Sequence, residues 1–383
     1  MRRILFSCTL TFLAALQAMG QEALPVQKGS DISCTQRLRL ARATFEAGRL
    51  HELVGTILGD EAKGCFFGTG ENSFSTQEKV DALKLITQAY IYLEEPLKAD
   101  ASMQQLLETD HFYVPNPTAD PAEYLALYST FRTTPVFSFG VKAGGSMTLS
   151  TITEQYYVSS QAIGQGKYSP GVSFIGGFFA EKEFFPKSKL KVLKNSVLMA
   201  EALFHLRPFK IKSPELLSND YNGDPSASFE GKAITNWIDL NVILRYRIKP
   251  LSTYDPYFGI GPGASFLLSS KVDLGKTPRY NRNGDISSTV TGAAIDVKEA
   301  YNKIAESITA LAGIKFRFGE IYINAEARYQ FGLSSLINKK SKTVEDFSLN
   351  YGTTLNNYRQ NNAIINIGVT YPYYKPKKLK HKK

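Results

Sequence analysis

SITALAGIKFRFGEIYINAEARYQF, the stretch from Ser307 to Phe331, decides how the rest of the chain is read. From Ile308 the alternate residues are Ile308, Ala310, Ala312, Ile314, Phe316 and Phe318. Beyond Gly319 and Glu320 they resume as Ile321, Ile323, Ala325, Ala327, Tyr329 and Phe331. The intervening positions carry Thr309, Leu311, Gly313, Lys315 and Arg317, then Tyr322, Asn324, Glu326, Arg328 and Gln330. A period of 2 with one apolar face and one polar, charged face is the pattern of a β-hairpin. Glycine at the first position of a two-residue loop suits a type II′ turn, which sets Phe318 opposite Ile321 and keeps both apolar sets on one side. Each arm has the ~9 to 11 residues that a tilted strand needs to cross a bilayer, so the apolar face is expected to meet lipid.

Working outward, the alternation recurs in Val136 to Leu149, around Leu198 to Leu206, Ile238 to Tyr246, Phe258 to Leu268 and Ile365 to Tyr371. Gly171 to Glu183 is the least regular, because the adjacent Phe178 and Phe179 must face opposite ways. With the hairpin these make eight antiparallel strands. Connections near 150–170, 208–233, 269–305 and 333–361 read as long and polar, and they alternate with shorter ones. That asymmetry is how an even-stranded outer-membrane barrel separates extracellular loops from periplasmic turns, and it puts both termini in the periplasm. Eight strands enclose only enough room for side chains, so an open pore is not expected. The expected fold class is α+β multidomain: a small all-α helical-hairpin domain followed by an eight-stranded antiparallel transmembrane β-barrel over 135–374.

The beginning of the chain reads as an address. Arg2 and Arg3 precede an apolar run from Ile4 to about Ala15, and Ala18, Met19 and Gly20 suit cleavage before Gln21, so 1–20 is expected to be a signal peptide. In an exported chain the remaining Cys34 and Cys65 read as a disulfide rather than a metal site or a nucleophile. Residues 21–132 are expected to form a helical domain: 21 to about 30 is polar and loose, and from Cys34 the period is helical, with one hairpin over Leu38 to Ile57, a capping box at Ser75 and Glu78, a partner helix through Leu97 to Leu107, a proline-rich stretch from His111 to Pro121 and a last helix from Asp120 to Phe131. The loop between the hairpins carries Gly64, Gly68 and Gly70. The formal net charge of +10 is concentrated at the ends, in Arg2, Arg3 and the lysines of a basic tail, 375–383. The body is near neutral, which argues against nucleic acid as a partner. The expected partners are outer-membrane lipid and an envelope protein held by the helical domain.

Three barrel segments, Tyr257-Phe-Gly-Ile-Gly-Pro-Gly263, Ala325-Glu-Ala-Arg-Tyr-Gln-Phe-Gly332 and Ile367-Gly-Val-Thr-Tyr371, resemble the PorT-like outer-membrane β-barrel family of Bacteroidota over roughly residues 136–374. The resemblance implies an eight-stranded outer-membrane protein and a role as an accessory of type IX secretion. Gln77 to Asp110 resembles one tetratricopeptide unit, with Leu85, Ala89, Tyr90, Ala99 and Leu106 at its packing positions and Glu94-Glu95 where a turn glycine is usual. It implies a partner-binding surface or a small helical cap.

Lys142, Glu201, Asp239, Arg245, Lys315, Glu326 and Arg328, together with Arg247 and Arg317, fall on the polar faces of their strands and are expected to form a charge network in the lumen. Charges inside a filled barrel must be compensated, so the network reads first as a paired polar core. His205, with Glu201 two positions deeper on the same strand, is the single histidine of the barrel and the one candidate for rim chemistry. No spacing singles out a serine or aspartate to complete it. The expectation is therefore a scaffold or accessory without enzymatic activity, cofactor or metal. A surface receptor or adhesin acting through the long loops, and a lumenal or rim hydrolase, are the alternatives.

Overall fold

The computed structural model describes residues 33–379 apart from 60–62, 69–72, 157–165, 184–189, 215–226, 249–253, 279–289, 292 and 340–354. The expected signal peptide and the last four residues of the basic tail lie outside the described residues. The chain divides into two compact units, 1–131 with 378–383, and 132–377.

The first unit is helical: α1 Cys34–Glu46, α2 Leu50–Leu58, α3 Lys63–Phe67, α4 Thr76–Tyr92, α5 Pro96–Thr109 and α6 Ala122–Ser129. Ser33 and Gln36 cap α1, and Ser75 and Glu78 cap α4, each pair exchanging side-chain and backbone hydrogen bonds. The Ser75 backbone N–H and the Thr35 hydroxyl both donate to Glu78, at 2.9 and 2.7 Å, and hold its carboxyl below the usual carboxylate range. One apolar cluster joins Leu38, Ala41, Leu53, Ile57, Ile86 and Ala89, and a second joins Val80, Met103, Leu106, Tyr124 and Phe131. Cys34 and Cys65 are disulfide-bonded with their Cα atoms 5.5 Å apart. Cys65 sits on α3, so the stretch expected to be a plain glycine loop contains a helical turn that presents the cysteine to α1. The tail is partly fixed within this unit, since Lys378 pairs with Asp100 at 2.6 Å and bridges Phe131.

The second unit contains β1 Phe137–Glu154, β2 Lys167–Glu183, a helical turn α7 Lys191–Lys194, β3 Ser196–Pro214, β4 Ala227–Arg247, β5 Tyr254–Pro278, the two-residue β6 Val290–Thr291 and β7 Ile295–Asp296, β8 Ile304–Phe318, β9 Ile321–Gly332 and β10 Asn357–Tyr373. Eight of these strands pair antiparallel in the ring β1-β2-β3-β4-β5-β8-β9-β10, and β10 returns to β1, so the sheet closes on itself. The short β6 and β7 add only to β5. The opening hairpin has the expected register, with Phe318 opposite Ile321 and Gly319 at φ +59°.

The polarity of the barrel is inverted relative to a water-soluble protein. Ile365, Ile367, Ile260 and Val242 are exposed on the outside, whereas Lys142, Glu201 and Arg328 are buried inside. Phe178 is 70% exposed and Phe179 only 4%, which resolves the irregular second strand into one lipid-facing and one lumenal ring.

Three connections are shorter than expected. β1, β3, β4 and β5 continue well into the segments 150–170, 208–233 and 269–305. The physical reason is a second inversion. Beyond the apolar band Phe209, Ile211, Phe229, Val272 and Leu274 point inward and are buried, while Lys210, Lys212 and Lys232 are exposed outside. A search for outward apolar residues loses these strands where the lipid ends.

Candidate functional site in the barrel lumen

The lumen is filled in layers. At the end that carries the β8–β9 turn, Glu181 accepts from Lys315 and is ion-paired with Arg245, and Arg247 pairs with Glu183 at 2.7 Å. In the middle, Lys142 Nζ lies 3.0 Å from Glu201 and 3.2 Å from Glu326, and 4.4 Å from the centre of the Phe179 ring. Arg328 pairs with the same two carboxylates, reaching Glu201 at 2.6 Å. Asn241 donates to Glu201 and the Tyr257 hydroxyl to Glu326, both at 2.9 Å. Gly313 makes that last bond possible, because a Cβ there would come within 2.7 Å of the Tyr257 hydroxyl.

The structure thus brings together Lys142, Glu201, Arg245, Lys315, Glu326 and Arg328. Asp239 belongs to a separate layer above them. It accepts from Arg207 at 2.5 Å and stands 2.8 Å from His205 Nδ1. His205 Nε2 is 2.7 Å from Ser146 Oγ. His205 is therefore partnered by Asp239 and Ser146, not by Glu201, and it lies inside the barrel rather than at its rim. Arg317 differs from its expected place: it is exposed beside the hairpin turn, where its Nε donates to Gly319 O. Residues that sequence reasoning did not assign to the network are Glu181, Arg207, Ser146 and Tyr257. Glu181 lies on the irregular β2. Arg207 falls where the pattern inverts, and an inward serine looks like any other small lumenal residue.

Serine, histidine and aspartate in sequence of hydrogen bonds is the arrangement of a nucleophile, its base and the group that orients the base. Two features set this one apart from an open site. Ser146, His205 and Asp239 are 2%, 0% and 1% exposed. Arg207 also donates to His205 Nδ1, at 3.1 Å, and so competes with the Asp239 contact that would fix the tautomer. Above this layer a cap of Phe209, Trp237, Tyr301 and Tyr358 closes the lumen, with the Tyr301 and Tyr358 hydroxyls 2.7 Å apart and the Arg207 guanidinium 5.2 Å from the Trp237 ring centre. Inside the spanning region the cations Lys142, Arg207, Arg245, Lys315 and Arg328 stand against Glu181, Glu201, Asp239, Asp255 and Glu326. Balanced burial is the condition under which charge can be kept in a dry interior. Among the described residues no cluster of three His, Cys, Asp or Glu side chains could hold a metal ion.

A family model described as an outer membrane protein beta-barrel domain matches residues 132–338. No curated protein matches the sequence. Among solved structures the chain is similar to Neisserial surface protein A (12% identity, 62% of this chain and 99% of that one, TM-score 0.28). It is similar to Ail of Yersinia pestis (11% identity, 61% and 99%, TM-score 0.25) and to the outer membrane protease OmpT of Escherichia coli (10% identity, 62% and 96%, TM-score 0.34).

Proposed function

We propose that this chain, which belongs to the outer membrane protein beta-barrel domain family, is a scaffold or accessory of an envelope or secretion assembly, with its helical unit in the periplasm as the partner-binding module. Family membership places the barrel in the outer membrane. The observation that carries the rest is the filled lumen. A barrel packed with paired charges and capped by aromatic rings has no passage to offer, so its contribution lies in what it anchors. The likeness of the barrel motifs to PorT-like proteins, and of Gln77 to Asp110 to a tetratricopeptide unit, supports a partner in a secretion assembly.

Two measurements test this reading. Single cysteines at Lys298, Glu320 and Gln105 should react with an impermeant maleimide in intact cells at Lys298 alone; reaction at Gln105 would reverse the orientation. A photo-crosslinking residue at Gln105 should capture an envelope protein, and its capture of none, with an unchanged phenotype on deletion of 33–131, would remove the module from the proposal.

A hydrolase is the second reading, favoured by the Ser146, His205 and Asp239 contacts. A fluorophosphonate probe decides it. The scaffold reading expects no adduct on the folded barrel, and an adduct on Ser146 that is lost in His205→Ala would establish a nucleophile.

A further inference from the structure

On the outer face of the barrel, just past the apolar band, the ladders of β2 to β5 bring lysines side by side. Lys210 is directly opposite Lys232, and Lys167 is directly opposite Lys212. Lys271 follows on β5, one row closer to the band, opposite Ile234. All five lysines are exposed. Like charges facing each other across a ladder repel, so such pairs call for a counter-charge. The carboxylates on this face are Glu230 and Asp273. Glu230 is taken by Lys212, and Asp273 stands opposite Lys232 without forming an ion pair with it. Among the described residues Lys210, Lys232, Lys167 and Lys271 have no ion-pair partner.

The same surface is concave. The β2–β3 ladder is interrupted between the pairs Pro170 with Phe209 and Ile175 with His205, and a groove of about 840 Å³ opens there, lined by Lys210, Lys212 and Lys232 with Val172, and also by Glu230 and Asp273. Gly171 forms part of its floor, since a Cβ there would meet the Pro208 carbonyl oxygen at 2.2 Å. On the membrane side of the groove Val172 and Phe174 are 79% and 58% exposed. Cationic groups above an apolar shelf match an anionic head joined to acyl chains.

We propose that this groove binds the phosphate of a phosphorylated lipid headgroup, with Lys210 and Lys232 as the phosphate ligands and Val172 and Phe174 against its acyl chains. The proposal rests on the barrel standing in a membrane, and not on what the helical unit binds.

The test uses the full chain folded into phosphatidylcholine vesicles with and without lipid A, then extracted in a neutral detergent and weighed by native mass spectrometry. Retained lipid A is expected on the unaltered protein. A lysine beside an anionic surface contributes about 1 kcal/mol, roughly fivefold in affinity, so Lys210→Gln with Lys232→Gln should weaken retention about 30-fold. Lys298→Gln with Lys303→Gln, an equal loss of charge in the connection between β7 and β8, should retain lipid A normally. Equal retention by the double variant and the unaltered protein would overturn the site. Displacement of lipid A by millimolar inorganic phosphate alone would overturn it as a lipid site and leave a free-anion site. Failure of the chain to float with vesicles of either composition would instead strike at the membrane reading beneath it.

Discussion

Lys142 shows what a single lumenal residue does. Its ammonium serves two carboxylates at once, and nothing else described reaches both from the β1 side. Replacing it with methionine keeps the length and removes the charge, leaving Glu201 and Glu326 to crowd Arg328. Breaking a buried pair in this way costs about 3–5 kcal/mol. Urea unfolding of the vesicle-inserted protein, followed by its folded and unfolded gel mobilities, should show that loss. Lys142→Met combined with Glu201→Gln should lose less than the two changes summed, because the second removes the charge that the first leaves uncompensated. A different strain sits in the helical unit. Glu94 occupies the left-handed region at φ +56°, in the turn between α4 and α5. A side chain there costs about 1–2 kcal/mol. Glu94→Gly should raise the stability of the helical unit by about 1 kcal/mol, read as a higher melting temperature of the helical circular dichroism signal.

Among the elements, the strands were legible in the sequence where lipid touches them and obscure where it does not. The β8–β9 hairpin alternates from end to end because one face meets hydrocarbon and the other meets Lys315, Glu326 and Arg328. β3 and β4 lose that signature at Arg207 and Thr235, where the inner face turns aromatic and the outer face turns cationic, and so their outer halves read as loops. The site was legible in the same measure. Its charges could be assigned to the lumen from periodicity, but their partition into two layers depends on strand stagger, which puts Asp239 opposite Leu203 and out of reach of Glu201's partners. Periodicity put Ser146 on the inner face of β1, but nothing in the sequence set it beside His205, which reaches it across the lumen from β3. In the helical elements the disulfide ties α1 to α3 across a separation of 31 residues. Closing a loop of that size stabilises a domain by about 3–4 kcal/mol in the chain-entropy model. Cys34→Ser with Cys65→Ser should therefore lower the melting of the helical signal while leaving the barrel's gel mobility as it was.

For the whole molecule, the balance of lumenal charge and the aromatic cap together make the barrel a plug in its own wall. Planar bilayers containing the protein should show no steady conductance, and a persistent open channel would contradict the filled lumen. Trp237→Ala removes a wholly buried indole whose Nε1 donates to Thr235 Oγ1 at 2.8 Å. A large aromatic deletion of this kind costs about 3–5 kcal/mol. The variant should unfold at lower urea without opening a channel, because the charged layers beneath still fill the interior.

The ring is sealed by the ladder between β1 and β10, in which Phe137 meets Tyr373 from more than two hundred residues away. Until that seam forms, both of its edges present bare amide and carbonyl groups, which hydrocarbon does not tolerate. The strand 357–373 is thus the one that closes the ring, pairing with β1 on one side and β9 on the other. A chain halted before residue 357 is therefore expected to show no folded gel mobility in vesicles, because both edges of its open sheet would face hydrocarbon unpaired.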